Sequence, residues 1–288
     1  MIRSTDEICA GLTLAAAQVQ ALLDPLDNRI LLCHALDVSR VSLITQSERA
    51  LNADEAACYS ALVQRRLNGE PVAYIVGQRE FFGLPFEVSS AVLIPRPDTE
   101  LLVELALERL PPQGRVLDMG TGSGAIAVAI AHSRKDAAVT ALDVSEQALE
   151  VASRNAAHNH CHINFLRSDW FAALAHQPRY DLIVSNPPYI ASGDRHLGEG
   201  DLRFEPSGAL TDFADGLSAL RTIIAGAASH LHEGCWLLLE HGYDQAAAVR
   251  ACLAQHGYTE VQSWQDLAGI ERVSGGRLAI PATTAPSP

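Results

Sequence analysis

The chain has 288 residues, a formal net charge of −13 and Lys135 as its one lysine, a balance that argues against gripping nucleic acid through clustered cations. Its length suits one large or two ordinary domains, and six scattered cysteines without a C-x-x-C pair suit reduced thiols in the cytoplasm rather than a disulfide framework. Asp6, Glu7, Gln18 and Gln20 break up the first apolar stretch, so no signal peptide and no membrane span is expected, and the chain reads as soluble.

From about Thr5 to Leu67, apolar residues recur at three- and four-residue steps, as in Leu12, Leu14, Ala15 and Val19, which predicts helices. Asp27 and Ser39 read as boundaries, and Asn52-Ala53-Asp54 as the start of another helix. Residues 1–75 therefore form a small all-helical domain whose composition names no chemistry. Gly69, Pro71, Gly77, Gly83 and Pro85 then punctuate the short segments Tyr74-Ile75-Val76, Glu80-Phe81-Phe82 and Phe86-Glu87-Val88, which predicts a connecting β-hairpin over 76–92. After Leu93-Ile94-Pro95-Arg96-Pro97-Asp98-Thr99-Glu100 an amphipathic helix runs to Leu110, with Asp98 or Thr99 as its cap. Arg96, held between two prolines on a stiff backbone, is a candidate to face a site.

Arg115-Val116-Leu117-Asp118-Met119 reads as a strand entering the turn Gly120-Thr121-Gly122-Ser123-Gly124, followed by a helix. Such glycines let backbone approach a ligand and aim a helix N-terminus at it. About twenty residues on, the strand 139–143 ends in Asp143, placed to accept from ribose hydroxyls. Gly120, Gly122 and Ala125 also satisfy the dinucleotide fingerprint, so a nicotinamide dehydrogenase is one reading. The third strand, 163–166, leads to Ser168-Asp169-Trp170, where the acid can accept from an adenine amino group and the indole can cover the ring; a buried tryptophan beside a helix cap is the equal alternative. His158, His160, Cys161 and His162 lack a second ligand cluster and read as a solvated loop, so no metal is expected.

The apolar run 180–184 ends in Ser185-Asn186-Pro187-Pro188-Tyr189, a buried strand cut off by residues that cannot continue a ladder. In open α/β sheets ligands bind at that end. The Asn186 side-chain oxygen is an acceptor, and residues before proline are driven extended, so the carbonyls of Asn186 and Pro187 are held in a restricted geometry. Together they can grip a planar NH2 group by both hydrogens, with Tyr189 offering a ring face. Acceptors that draw such a nitrogen toward tetrahedral geometry favour the transition state over the ground state. A strand-terminating turn is the plain alternative. A long polar loop, 191–215, suggests a substrate lid. Helices over 217–231 and 245–255, a strand over 235–240 and two short strands around Val261 and Arg277 complete a sheet, and 281–288 reads as a disordered tail.

Together these stretches resemble the class I methyltransferases dependent on S-adenosyl-L-methionine. More narrowly, they resemble the PrmC/HemK family, which methylates the side-chain amide nitrogen of a glutamine in peptide chain release factors. The likeness rests on residues 93–100, 118–124, 168–170, 185–189, Phe204-Glu205-Pro206, Glu240-His241-Gly242 and Glu271-Arg272. It implies an α/β fold over 93–280, a Rossmann-like seven-stranded sheet with its last strand antiparallel, behind a helical domain that helps recognise class 1 release factors. It also implies that Gly120, Thr121, Gly122, Ser123 and Gly124 hold the methionyl part of the cofactor, that Asp143 takes its ribose, and that Trp170 with Asp169 takes its adenine. Asn186, Pro187, Pro188 and Tyr189 would hold the glutamine of the Gly-Gly-Gln motif, with Asn186, Pro187 and Tyr189 catalytic and Asn186 also beside the cofactor. The implied protein is a cytoplasmic monomer acting in translation termination, with no nucleic-acid or membrane partner. An amino methyltransferase acting on nucleic acid remains a rival, because adenine-methylating enzymes use a similar Asn-Pro-Pro-aromatic stretch. A non-catalytic module of the same fold is another. The dehydrogenase reading leaves 186–189 without a task.

Overall fold

The computed structural model describes residues 4–19 and 22–280, so the tail expected at 281–288 lies outside the described residues. The chain divides between Gln78 and Arg79 into two compact units. The first is built of α1 (Leu14–Gln18), α2 (Pro25–Leu36), α3 (Arg40–Thr45), α4 (Ala53–Leu67) and α5 (Val72–Val76). Ser39 and Asn52 cap α3 and α4 as expected, and Asn52 forms a capping box with Glu55. The boundary expected at Asp27 falls instead at Asp24, whose side chain accepts from the Leu26 N–H while Pro25 takes the first helical position. A proline there lacks only an N–H that would have had no partner in the helix. Asp27 stands one turn inside and pairs with Arg66 at 2.7 Å.

Tyr74, Ile75 and Val76, expected in the hairpin, belong to α5. Pro71 precedes this helix, and Gly77, at φ 72°, ends it with its N–H on the Ala73 carbonyl. The proline and glycine that read as hairpin punctuation thus bracket one helical turn. In the core of this unit, the fully buried Tyr59 donates its hydroxyl to Asn28, whose amide donates to the Ala17 carbonyl at 2.9 Å. The buried polar groups are therefore satisfied.

The hairpin is β1 (Gln78–Phe81) and β2 (Leu84–Glu87). It is followed by α6 (Glu100–Arg109), β3 (Arg115–Met119), α7 (Ala125–Ser133), β4 (Ala138–Asp143), α8 (Glu146–His158), β5 (Ile163–Arg167) and β6 (Tyr180–Ser185). Then come α9 (Ser207–Leu210), α10 (Ser218–Ala227), β7 (Leu231–Glu240), α11 (Ala246–Gln255), β8 (Tyr258–Gln265) and β9 (Glu271–Leu278). Seven strands form one sheet in the order β5-β4-β3-β6-β7-β9-β8, parallel from β5 to β7. The last strand, β9, is antiparallel to both neighbours, which is the sheet that the family resemblance implies. Both closing strands run eight residues, longer than expected, because β9 is inserted between β7 and β8 and pairs along both edges.

Alternation along the central strands divides the core. Val116, Leu182, Val184 and Leu238 pack with residues of α6 and α7, whereas Leu117, Met119, Ile183, Leu237 and Leu239 pack with residues of α10 and α11. Successive strand side chains point to opposite faces, so a sheet covered by helices on both sides needs continuous apolar runs. After β3 the chain moves outward to β4 and β5, then returns to place β6 on the other side of β3. Connections leaving in opposite directions open a crevice at the carboxyl ends of this pair. Ser185 ties the two ends together, its hydroxyl donating to the Met119 carbonyl at 2.6 Å. Among the described residues, no helix is long and apolar enough to cross a membrane.

Replacing Asn52 by Ala removes the α4 cap and is expected to lower the unfolding free energy by about 1 kcal/mol. The loss should appear as a lower urea midpoint at unchanged slope, and Asn52→Ser should recover most of it.

Candidate active site

A cavity of about 280 Å³ lies at the carboxyl ends of β3, β4, β5 and β6. Gly120, Thr121, Gly122, Ser123, Asp143, Asp169, Trp170, Asn186 and Pro188 all line it, so residues from four strand ends converge on one space. Gly124, Pro187 and Tyr189 do not line it. The glycines divide by task. Gly120 and Gly122, at φ 72° and 55°, have no atom within 4 Å of where a Cβ would stand, whereas a Cβ on Gly124 would lie 3.0 Å from that of Ala152 in α8. The first two leave open space beside exposed backbone, and the third permits helix packing.

Below the glycine loop, Asp118 is fully buried. Thr121 donates to its Oδ2 at 2.6 Å, Oδ1 has no partner, and burial pushes its pKa up to about 7. Asn155, a buried asparagine within α8, donates to the Ser123 carbonyl at 2.8 Å and to the Glu87 carbonyl at 3.0 Å, and accepts from the Glu87 N–H at 2.7 Å. Sequence reasoning missed this clamp between loop and hairpin; a polar residue on the apolar face of a helix was the available signal.

Asp143 accepts from the Gly122 N–H through Oδ2 and from the Ser145 N–H through Oδ1, each at 2.9 Å. Burial raises its pKa while these bonds oppose the rise. Each oxygen keeps acceptor capacity for a further donor. Trp170 adopts φ 44°, in a turn held by Ser168, whose hydroxyl donates to the Trp170 carbonyl at 2.7 Å and accepts from the Ala173 N–H at 3.0 Å. Trp170 is half-buried, lining the cavity and packing against the core.

Arg96 lines the cavity and pairs with Glu205, whose carboxylate is buried and also accepts from the Ile94 N–H at 3.0 Å. This joins the segment before α6 to the region expected to be a polar loop. That region is largely organised: 3-10 turns at Arg195–Gly198 and Leu202–Phe204 precede α9, and Ile190 bridges to Thr211. The Asp212 carboxylate accepts from the N–H groups of Ala214, Gly216 and Ser218.

Thr99 is the N-cap residue of α6, one of the two expected there, but its side chain makes no capping bond. Its hydroxyl oxygen instead accepts from Asn186 Nδ2 at 3.2 Å. Tyr189 donates its hydroxyl to Glu240 Oε1 at 3.4 Å. Glu240 is almost wholly buried, and burial pushes its pKa up to about 7 against the opposing pull of the Thr99 hydroxyl. Burial also raises the Tyr189 pKa. Glu240 ends an apolar strand just as Asp143 does, so the cue that singled out Asp143 was present here too. Among the described residues no group of three His, Cys, Asp or Glu is placed to hold a metal ion.

The profile described as "Methyltransferase small domain" matches residues 97–199, and that described as "PrmC N-terminal domain" matches 12–77. The release factor glutamine methyltransferase of Burkholderia pseudomallei (strain K96243) is 57% identical over 264 residues, covering 89% of this chain and 93% of the relative. The chain belongs to the release factor glutamine methyltransferase family, PrmC/HemK. A second member of the family, from Neisseria gonorrhoeae (strain ATCC 700825 / FA 1090), is 52% identical over 256 residues, covering 88% of this chain and 94% of that one. A methyltransferase from Pyrococcus furiosus shares the fold, with TM-score 0.54 and 21% identity over 77% of this chain and 100% of that one.

Arg96→Ala strands the buried Glu205 carboxylate without its guanidinium. The expected cost is about 3 kcal/mol, read by denaturant unfolding, and adding Glu205→Gln should recover part of it.

Proposed function

We propose that this chain transfers a methyl group from S-adenosyl-L-methionine to the side-chain amide nitrogen of the glutamine in the Gly-Gly-Gln motif of class 1 release factors. The observation that carries this reading is the position of Asn186, which lines the cavity at the crevice between β3 and β6, in a chain 57% identical over 264 residues to a release factor glutamine methyltransferase.

S-adenosyl-L-methionine supplies, when bound, a methyl group already activated by a sulfonium. The residues present fit it. Open space stands over Gly120 and Gly122, and the Asp143 carboxylate, which lines the cavity, has acceptor capacity left. We assign Gly120, Thr121, Gly122 and Ser123 to the methionyl part, with Gly124 supporting them by letting α7 approach α8. Asp143 takes the ribose hydroxyls, while Trp170 with Asp169 takes the adenine. Asn186 also borders this group.

The remaining work is positional. The Asn186 side-chain oxygen and the Pro187 carbonyl accept the two hydrogens of the substrate amide, and Pro188 and Tyr189 pack against it. Two acceptors fixed in this way weaken delocalisation of the nitrogen lone pair and point it along one line. Holding the reacting atoms in this geometry removes on the order of several kcal/mol from the barrier. No strong base is required before the new bond forms, because only then does the nitrogen carry an extra proton, which leaves to solvent. The helical segment, residues 1–75, meets the release factor, 76–92 connects it, and 93–280 carries the chemistry. The protein acts as a monomer in the cytoplasm.

The test is incubation with methyl-labelled S-adenosyl-L-methionine and, separately, an unmodified release factor and mixed nucleic acid. Label on the glutamine supports the reading, and label on nucleic acid alone replaces it with the rival substrate. Asn186→Ala should lower transfer roughly 100- to 1000-fold while leaving cofactor affinity by calorimetry within about twofold, because it removes an acceptor aimed at the substrate. Asp143→Ala should act in the other order, weakening cofactor binding by at least about tenfold through the lost ribose bonds.

A further inference from the structure

An asparagine side chain presents an acceptor on one side and donors on the other. As a grip for an NH2 group Asn186 works only one way round, since its own NH2 turned to the cavity would set donor against donor. The bond from Asn186 Nδ2 to Thr99 Oγ1 at 3.2 Å selects the working orientation, provided that the Thr99 hydroxyl sends its single proton elsewhere. Glu240 is the buried acceptor available to take it. Its carboxylate is buried at the end of β7, the Thr99 hydroxyl favours its charged form, and Tyr189 donates to Oε1. The Oε2 atom is buried and receives no hydrogen bond, so it has acceptor capacity to spare. Thr99 is 5% exposed and Glu240 2%, so water does not compete freely for these bonds.

We propose that Thr99 and Glu240 are positioning residues for methyl transfer, Glu240 directing the Thr99 hydroxyl and Thr99 in turn locking the Asn186 amide with its oxygen toward the substrate. All donors of the network then run toward one carboxylate: the Asn186 NH2 to Thr99, the Thr99 hydroxyl to Glu240, and the Tyr189 hydroxyl to Glu240 from the other side. The cavity end of the chain is left as an acceptor. If the carboxylate becomes an amide, Glu240 brings donors of its own, the Thr99 hydroxyl is free to point at Asn186, and the asparagine gains by turning round. Thr99 lines the cavity and Glu240 does not, so Glu240 acts through its neighbours. This inference rests on the reading of Asn186 as the substrate grip.

The experiment compares Thr99→Val, Thr99→Ser, Glu240→Gln and Asn186→Ala, alone and combined, in the full chain. It measures kcat and KM for transfer to a release factor, the Kd for S-adenosyl-L-methionine, and Tm. Thr99→Val and Glu240→Gln should each lower kcat roughly 10- to 100-fold with cofactor Kd within about twofold. Thr99→Ser, which keeps the hydroxyl, should recover most of the loss. Because both residues act through Asn186, adding either substitution to Asn186→Ala should slow it no further, and the Thr99→Val/Glu240→Gln pair should be no worse than its slower member. Native kcat in Thr99→Val, losses that multiply when combined with Asn186→Ala, or a fall in kcat that only follows Tm would overturn the proposal. Failure of the underlying reading is separately visible, since the unaltered chain would then place no label on the glutamine.

Discussion

Parallel strands end with their carbonyls and outgoing turns on one edge, and where two neighbours send their connections in opposite directions no helix covers that edge. Strands β3 and β6 are such a pair, and the Ser185 hydroxyl on the Met119 carbonyl holds their ends in register. Much of the rest follows from this crevice. The glycine loop leaves β3 there, the Asn-Pro-Pro-Tyr stretch leaves β6 there, and the acids ending β4 and β7 stand on either side. A parallel sheet buried on both faces supplies the rigidity, since its strands have no exposed face along which to slip register.

Two buried carboxylates, Asp118 and Glu240, stand behind residues that line the cavity. Asp118 takes a short bond from Thr121 and Glu240 a longer one from Tyr189, and each keeps one oxygen without a hydrogen bond. Burial disfavours the charged form of each, so the acid is held ionised only as far as neighbouring donors compensate. The ion pair of Arg96 with Glu205 is a brace of another kind, joining the segment before α6 to the one before α9. That brace also ties down the segment after Tyr189, which the sequence marks as a long polar loop. The loop carries its own buried acid and closes it against the arginine held between two prolines.

Much was legible from residues that act locally. Glycines at positive φ, prolines ending a strand, an asparagine opening a helix and apolar runs of strand length each follow from the sterics of one or a few neighbouring residues. The same local signals misled where they were compatible with two structures. Pro71 and Gly77 delimit a helical turn as readily as a hairpin, and only the burial of Ala73 and Ile75 within the helical unit selects the former. Thr99 does stand at the N-cap of α6, but its hydroxyl is engaged by Asn186 rather than by the helix.

The partners of the site residues belong to the tertiary structure alone. Thr99 and Asn186 are 87 residues apart, Tyr189 and Glu240 51, and Arg96 and Glu205 109. No local pattern encodes such separations, because which side chains meet is set by strand order and by the face each residue takes on its own element. The amino-acid sequence fixed the kinds of chemistry available, an acceptor between prolines, acids at strand ends and a bare-backbone loop. Packing of the sheet decided which of these groups touch, and therefore which way round an amide such as Asn186 faces.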